Sequence, residues 1–158
     1  MNVPFYEKIW MWAAAGVIAA FVATVVITSL GGALAPPSHV ETIVPTQVLK
    51  DARFAHPGVT VDANGATVVA FGMMFGFTPA EIHVPAGKPV TFRMTSTDVT
   101  HGFLIVGTNA NTMLVPGYVS QFTTVFRRPG EYLIVCNEYC GLGHHLMSAR
   151  LIVEEAQR

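Results

Sequence analysis

The sequence predicts a mainly-β domain, a Greek-key sandwich or barrel, that follows one N-terminal transmembrane helix. Three observations support this fold class. One long apolar run without a charged residue stands near the N-terminus, short β-rich segments recur from Thr67 onward, and no long amphipathic helix interrupts them. Short strands separated by turn residues are typical of sandwiches and barrels. We therefore expect one membrane span joined to one compact β domain.

The apolar run covers residues 9–30 and begins directly after two charged residues. As a helix it is long enough to cross a hydrocarbon core of about 30 Å. A cleaved signal peptide is the alternative, because the Ala-Leu-Ala sequence at 33–35 resembles a small-residue cleavage site. The run is longer than a typical signal core, however, and Pro36 would directly follow the cut. We therefore predict an N-terminal cytoplasmic segment over 1–8 and a transmembrane helix over 9–30.

The rest of the chain divides into a linker and a β domain. Residues 31–60 contain several turn-forming residues and little periodicity, so we predict a linker there and the compact domain over 61–158. The clearest strand is predicted where Val90, Phe92 and Met94 alternate with polar residues, the period of a half-buried strand. Further strands are predicted at residues 67–71, 81–84, 103–106, 121–126, 131–135 and 149–154.

The charge balance excludes one class of function. The formal net charge is −1 at pH 7, and basic residues do not form a cluster. A nucleic-acid-binding protein normally carries a basic patch that attracts phosphate groups. We therefore expect no nucleic acid partner.

The most informative stretch lies near the C-terminus, where two thiols, an imidazole and a thioether occur in close succession. Cys136 and Cys140, the only cysteines of the chain, are followed by His144 and Met147. Mixed sulfur and imidazole donors favour copper over ions that prefer oxygen ligands. Two thiolates on one loop can bridge a pair of metal ions, so that each ion needs one imidazole, and His101 is the most plausible second one. A structural disulfide between the two cysteines is the alternative.

The motif resembles a known family. Asp-Val-Thr-His, ending at His101, and Cys-x-x-x-Cys-Gly-x-x-His-x-x-Met together resemble the binuclear CuA domain of cytochrome c oxidase subunit II, in the single-helix B-class branch. The resemblance implies a cupredoxin fold and two copper ions bridged by both thiolates. It implies the ligands His101, Cys136, the backbone carbonyl of Glu138, Cys140, His144 and Met147. His145 lies one position beyond the histidine of the motif and is expected to stay outside this set.

The resemblance also implies a function. The chain is expected to accept electrons from cytochrome c and to pass them to haem in subunit I of a terminal oxidase, where oxygen is reduced to water. The expected location is the plasma membrane of a prokaryote, with the copper domain on the periplasmic face. Glu7 occupies a place that the resemblance associates with proton entry. The alternatives are the CuA relay of a nitric oxide reductase, and a membrane-anchored copper chaperone with a thioredoxin-like α/β fold.

Two further expectations concern the surroundings of the copper site. Residues 71–77 are rich in glycine, methionine and phenylalanine, and we expect an irregular edge there. In the family, an aromatic-rich segment at this place receives electrons, but this chain has no tryptophan in it, so Met73 and Phe75 are candidates for an apolar docking face. Asp98 is expected to hold the loop before His101 rather than to act as a base.

Overall fold

The computed structural model describes residues 4–30 and 41–155. The chain divides into two compact units, residues 1–39 and 40–158. Parts of three predicted segments lie outside the described residues: 1–3 of the N-terminal segment, 31–40 of the linker and 156–158 of the β domain. The possible cleavage site at 33–35 lies outside them as well.

The described part of the first unit, residues 4–30, contains the helix α1 over Phe5–Leu30. Its length and composition suffice for a membrane span. The helix begins four residues before the predicted segment, so Glu7 lies in its first turn. The hydroxyls of Thr24 and Thr28 donate to backbone carbonyls one turn earlier, at 2.8 and 2.7 Å. These bonds matter in an apolar environment because lipid offers no partner to a polar group.

The second unit has ten strands in two sheets. The first sheet has the order β1-β2-β5-β8, with β3 also paired to β2, and the second has the order β4-β10-β9-β6-β7. The pairs β2·β5 and β4·β10 are parallel, and the other pairs are antiparallel. The strands are β1 Gly58–Val61, β2 Ala66–Met73, β3 Gly76–Thr78, β4 Glu81–Pro85, β5 Pro89–Ser96, β6 His101–Ile105, β7 Asn111–Leu114, β8 Ser120–Val125, β9 Gly130–Val135 and β10 Ser148–Glu154.

Both sheets contribute to one hydrophobic core, so the fold is a sandwich. The predicted alternation in β5 is confirmed, because Val90, Phe92 and Met94 are fully buried. The ring of Phe92 stacks on Phe122 at 5.0 Å and lies 5.8 Å from Phe103. These aromatic rings therefore belong to the core that supports the domain.

The structure differs from the sequence prediction over 41–60. This stretch, predicted as a linker, contains a short 3₁₀ helix over Pro45–Lys50 and the strand β1. Ile43, Val48 and Phe54 are buried in a small second core. Arg53 forms ion pairs with Glu41 and Asp51 on the surface of the same stretch. The apolar residues here follow neither a helical nor a strand period, which is why the sequence pattern did not reveal their packing.

The segment 71–77 forms a hairpin rather than an irregular edge. Strand β2 extends to Met73, the chain reverses at Met74 and Phe75, and β3 returns alongside β2. Phe77 is buried in the core, whereas Phe75 at the turn is 40% exposed. Three strands, β1, β3 and β7, were missed by the sequence analysis because each has only three or four residues.

Candidate metal centre

The candidate site lies at one end of the sandwich, where two neighbouring strands meet. His101 is the first residue of β6, and the loop from Cys136 to Met147 joins β9 to β10. Because β6 and β9 are antiparallel, the start of one lies beside the end of the other. The backbone amide of Cys136 donates to the Met147 carbonyl at 3.2 Å and closes the base of the loop. The sheet thus brings a distant histidine to the cysteine loop.

The sulfur atoms of the loop lie close together. Cys140 Sγ lies 3.7 Å from each of Cys136 Sγ, His144 Nδ1 and Met147 Sδ. The thiol of Cys136 lies 3.0 Å from the Glu138 carbonyl oxygen. All the loop groups named by the sequence analysis therefore surround the two thiols. Soft donors at these separations are chemically suited to copper.

His101 completes the cluster from the opposite strand. One ring nitrogen of His101 and the sulfur atoms of Cys136 and Cys140 all lie within 4.8 Å of one another. All three residues are buried. His145, in contrast, is exposed, and the cluster does not include it. The six expected groups are thus found at one place, and the rival histidine lies outside it.

The two cysteines are not joined as a disulfide in the structure, and both thiols are buried. Burial raises the pKa of the Cys140 thiol to about 11, and the neighbouring Cys136 thiol adds to this effect. A buried thiolate is costly because the low-dielectric interior does not solvate its charge. A bound cation would compensate for that charge. The thiols of Cys136 and Cys140 would therefore lose their protons when a metal binds.

The imidazole of His101 has one partnered and one unpartnered nitrogen. Its Nε2 lies 2.8 Å from Asp98 Oδ1, and because a carboxylate only accepts, Nε2 carries the proton. Its Nδ1 is the only buried side-chain nitrogen or oxygen without a hydrogen-bond partner in the described part of the chain. An unpaired buried polar atom costs roughly 1–3 kcal/mol. An unpartnered nitrogen on a histidine that is grouped with two buried thiols makes His101 a candidate metal ligand.

Asp98 holds the histidine in place, as the sequence analysis expected. Besides His101, it accepts hydrogen bonds from the backbone amides of Val99 at 2.7 Å and Met74 at 2.6 Å. Partial burial opposes ionisation, but these three hydrogen bonds keep the pKa of Asp98 below its ordinary value. The charged carboxylate therefore fixes the tautomer of His101. The bond to Met74 was not foreseen, because it links residues 24 positions apart.

Glycines allow the loop to lie close to its neighbours. A Cβ added at Gly102 would come within 2.8 Å of the backbone nitrogens of Asn137 and Glu138. A Cβ added at Gly143 would lie 2.4 Å from the ring of Phe75. The cysteine loop thus rests against β6 on one side and against the β2–β3 turn on the other.

An apolar surface lies beside the loop. Met73, Met74 and Phe75 are partly exposed at the β2–β3 turn, and Leu142 and Leu146 of the loop are 90% and 72% exposed. Because the Phe75 ring contacts the loop at Gly143, these groups are neighbours on the surface. Phe75, one of the two residues expected to form a docking face, therefore lies next to the candidate site, and Met73 lies two positions before it at the same turn.

Comparison with known proteins gives a consistent result. Residues 78–156 match the family described as cytochrome C oxidase subunit II, periplasmic domain. A cytochrome c oxidase subunit 2 of Thermus thermophilus is 38% identical over 155 residues, which cover 95% of this chain and 92% of the relative. Another from the same organism is 42% identical over 123 residues, covering 76% of this chain and 91% of the relative. The chain belongs to the cytochrome c oxidase subunit II family.

Solved structures agree with this family. A chain from a heme-copper terminal oxidase dimer, solved by cryo-EM, superposes with a TM-score of 0.58 and 29% identity, covering 94% of this chain and 99% of that one. The periplasmic domain of subunit II of cytochrome oxidase from Bradyrhizobium japonicum gives a TM-score of 0.54 at 20% identity, with 61% and 89% covered. The second likeness concerns the fold alone, and it confirms the predicted cupredoxin-like sandwich. A copper chaperone would have a thioredoxin-like α/β fold, which the two sheets contradict.

Proposed function

We propose that the chain is the electron-transfer subunit of a haem-copper terminal oxidase, in which it relays electrons through a pair of copper ions. Membership of the cytochrome c oxidase subunit II family makes it a subunit of an oxidoreductase complex. The observation that carries the copper site is the buried, unpartnered Nδ1 of His101 beside two free thiols. The family and the donor set point to the same chemistry.

Six groups of this chain would hold the two ions. Cys136 and Cys140 would supply two thiolates, and Met147 and the Glu138 carbonyl would be the weaker donors. His101 and His144 would each supply an imidazole. When bound, the copper pair provides a site that takes up and releases one electron at a time.

The protein around this site keeps the cost of electron transfer low. The loop is closed at its base, His101 is held by Asp98, and the sandwich core lies beneath them. Ligands that are held in place change their positions little when the charge of the metal changes. Exclusion of water by Phe75 and by the burial of both thiols acts in the same direction.

The electron path follows from the position of the site. A cytochrome c would deliver electrons across the apolar surface that includes Met73 and Phe75, and haem in subunit I would receive them and use them to reduce oxygen to water. The oxygen chemistry belongs to that subunit. In a nitric oxide reductase, the chain would relay electrons in the same way to a different large subunit. The two alternatives are separated by measuring whether the purified complex consumes oxygen or nitric oxide.

Helix α1 provides the membrane attachment in this proposal. It anchors the chain in the plasma membrane of a prokaryote, with the N-terminus in the cytoplasm and the copper domain in the periplasm. Glu7, in the first turn of the helix, then lies at the cytoplasmic end, where we infer that it assists proton entry into subunit I. Glu7→Gln in the assembled oxidase should slow proton uptake, and unchanged turnover and uptake would remove this role.

Copper counting and EPR spectroscopy test the proposed copper site. The full-length chain in detergent, loaded with copper, should bind two ions per chain. Its EPR spectrum should show hyperfine coupling of one unpaired electron to two equivalent copper nuclei. One copper per chain with coupling to a single nucleus would contradict the paired site.

A further inference from the structure

The imidazole of His101 is packed against the backbone of a neighbouring strand. A Cβ added at Gly72 of β2 would lie 2.9 Å from His101 Cδ2 and 3.3 Å from its Cγ. It would also lie 3.2 Å from Leu114 Cδ1. Gly72 is not among the glycines with positive φ, so its backbone conformation is open to any residue. The space that requires glycine here is therefore occupied mainly by the His101 ring, which is the nearer neighbour, and next to it by the Leu114 side chain.

Neither side of this contact can easily move. Gly72 lies in the middle of three strands, opposite Phe77 of β3 and Ser96 of β5. Its carbonyl also accepts a hydrogen bond from the Thr97 amide at 3.1 Å. The backbone of β2 is thus held from both sides at the point of contact.

The histidine is held as firmly as the strand. His101 is 0% exposed, and its Nε2 is bonded to Asp98. Leu114 is also fully buried and lies opposite His101 in the β6–β7 register. A methyl group at position 72 would therefore have to displace the ring, and the displacement would change the position of Nδ1 relative to the thiols.

We propose that Gly72 is a positioning residue that sets where the His101 imidazole stands relative to Cys136 and Cys140. This inference rests on the proposed copper function, because the placement matters only if Nδ1 binds a metal. Gly72 itself does not contact the metal and acts through the ring alone. It belongs to β2, a strand that supplies none of the proposed ligands.

The hairpin offers a matched control for the test. Gly76 lies in β3 of the same hairpin, a Cβ added to it would meet nothing within 4 Å, and its φ is also not positive. Gly72→Ala and Gly76→Ala therefore make the same chemical change in the same hairpin, and only the first one meets the ring. Both would be made in the full-length chain in detergent.

The test has a readout without metal and one with copper. In the metal-free protein, the imidazole ¹⁵N resonances of His101 should shift in Gly72→Ala and stay unchanged in Gly76→Ala. With copper, Gly72→Ala should bind roughly ten- to a hundred-fold more weakly, the range typical of residues that hold a ligand in place, and its hyperfine pattern should change. Unshifted resonances and an unchanged copper spectrum in Gly72→Ala would overturn the inference.

A wild-type chain that binds no copper pair would instead overturn the proposed function, while the metal-free resonances would still report on the ring.

A double-mutant cycle keeps the inference testable if Gly72→Ala folds poorly. In a His101→Ala background the ring is absent, so the loss of stability caused by Gly72→Ala should be much smaller than in the wild-type background. The free energy of unfolding of the four proteins measures this difference. An equal loss in both backgrounds, or a double variant that fails to fold although His101→Ala alone folds, would show that the methyl group clashes with something other than His101.

Discussion

Two histidines of the β domain lie in opposite environments. His83, on the outer face of the second sheet, has a side chain that is 48% exposed, and its ring nitrogens lie 2.7 Å from Glu154 and 2.9 Å from Glu81. His101, at the loop end of the sandwich, is fully buried and has one nitrogen bonded to Asp98 and the other to nothing. The difference teaches that the partners of both nitrogens, rather than the residue type, distinguish a surface histidine paired with carboxylates from a candidate metal ligand.

The pKa values of the two regions shift for different reasons. Hydrogen bonds that the His83 ring donates to Glu81 and Glu154 raise the pKa of His83, because the carboxylates stabilise its charged form. At the loop end, burial raises the pKa of the Cys140 thiol because its charged form is poorly solvated. The charged groups of the surface network therefore pair with one another. At the loop end, the two thiols and the free His101 nitrogen have no such partner, and a cation would supply one.

Replacing each histidine separately has the largest expected effect. His101→Ala removes the unpartnered nitrogen beside the thiols, and we expect the two-copper EPR pattern to be lost. His83→Ala should leave the copper count and the spectrum as in the wild type, because His83 lies on β4, which carries no proposed ligand. Copper analysis and EPR of both full-length variants check this. If both variants kept the two-copper spectrum, or both lost it, the different environments of His101 and His83 would not determine which histidine binds copper.

A smaller effect is expected when the partner of His101 loses its charge. Asp98→Asn keeps the size of the side chain but weakens the bonds to His101 and to the amides of Met74 and Val99. We expect the copper affinity to fall by roughly ten-fold or more, as for other residues that orient a metal-binding histidine. Competition with a copper chelator measures the change. Asp51→Asn, at an exposed ion pair distant in sequence from the loop, serves as the control and should not alter the affinity.

The smallest expected effect is a pH dependence of stability at His83. The folded state raises the pKa of His83 above its ordinary value of 6.5 and lowers that of Glu81 below 4.5. The His83 contribution is therefore complete below 6.5 and is lost as the pH rises through the raised pKa. The Glu81 contribution is present above 4.5 and is lost at lower pH.

The network should thus stabilise the domain most between these two values. Melting curves of the wild type and of His83→Gln, recorded without metal, should differ most in that interval and converge at alkaline pH. A difference that grew with increasing pH would have the wrong sign for this network. Because the groups are exposed and the pairs are screened by water, the shift in melting temperature should be small.

Some elements of the fold could be predicted from local pattern and others could not. The alternation of Val90, Phe92 and Met94 reveals β5 because a half-buried strand repeats every second residue. The packing of Val48 and Phe54 has no such period, since a 3₁₀ turn and irregular loops carry these side chains to the core. The hairpin at 71–77 was also missed as a hairpin, because its second strand is shorter than any periodicity can show.

At the site, the sequence by itself determined which donors are available. The spacing of Cys136, Cys140, His144 and Met147 puts them on one loop whatever the rest of the chain does, and the soft character of these donors follows from residue type. The length of the apolar run likewise sufficed for a membrane span. These conclusions concern residues that are close together in the chain. For such residues, a short separation in sequence also limits their distance in space.

Only the tertiary structure decided how His101 is presented to the loop. Its unpartnered Nδ1 and its contact with Gly72 depend on strands from different parts of the chain meeting at one end of the sandwich, whereas its bond to Asp98 spans only three positions. Nothing in local sequence marks Gly72, because its backbone is ordinary and the ring that needs the space lies 29 positions further along the chain. This contact arises because β2 of the first sheet packs against β6 of the second, and sequence spacing carries no record of such packing.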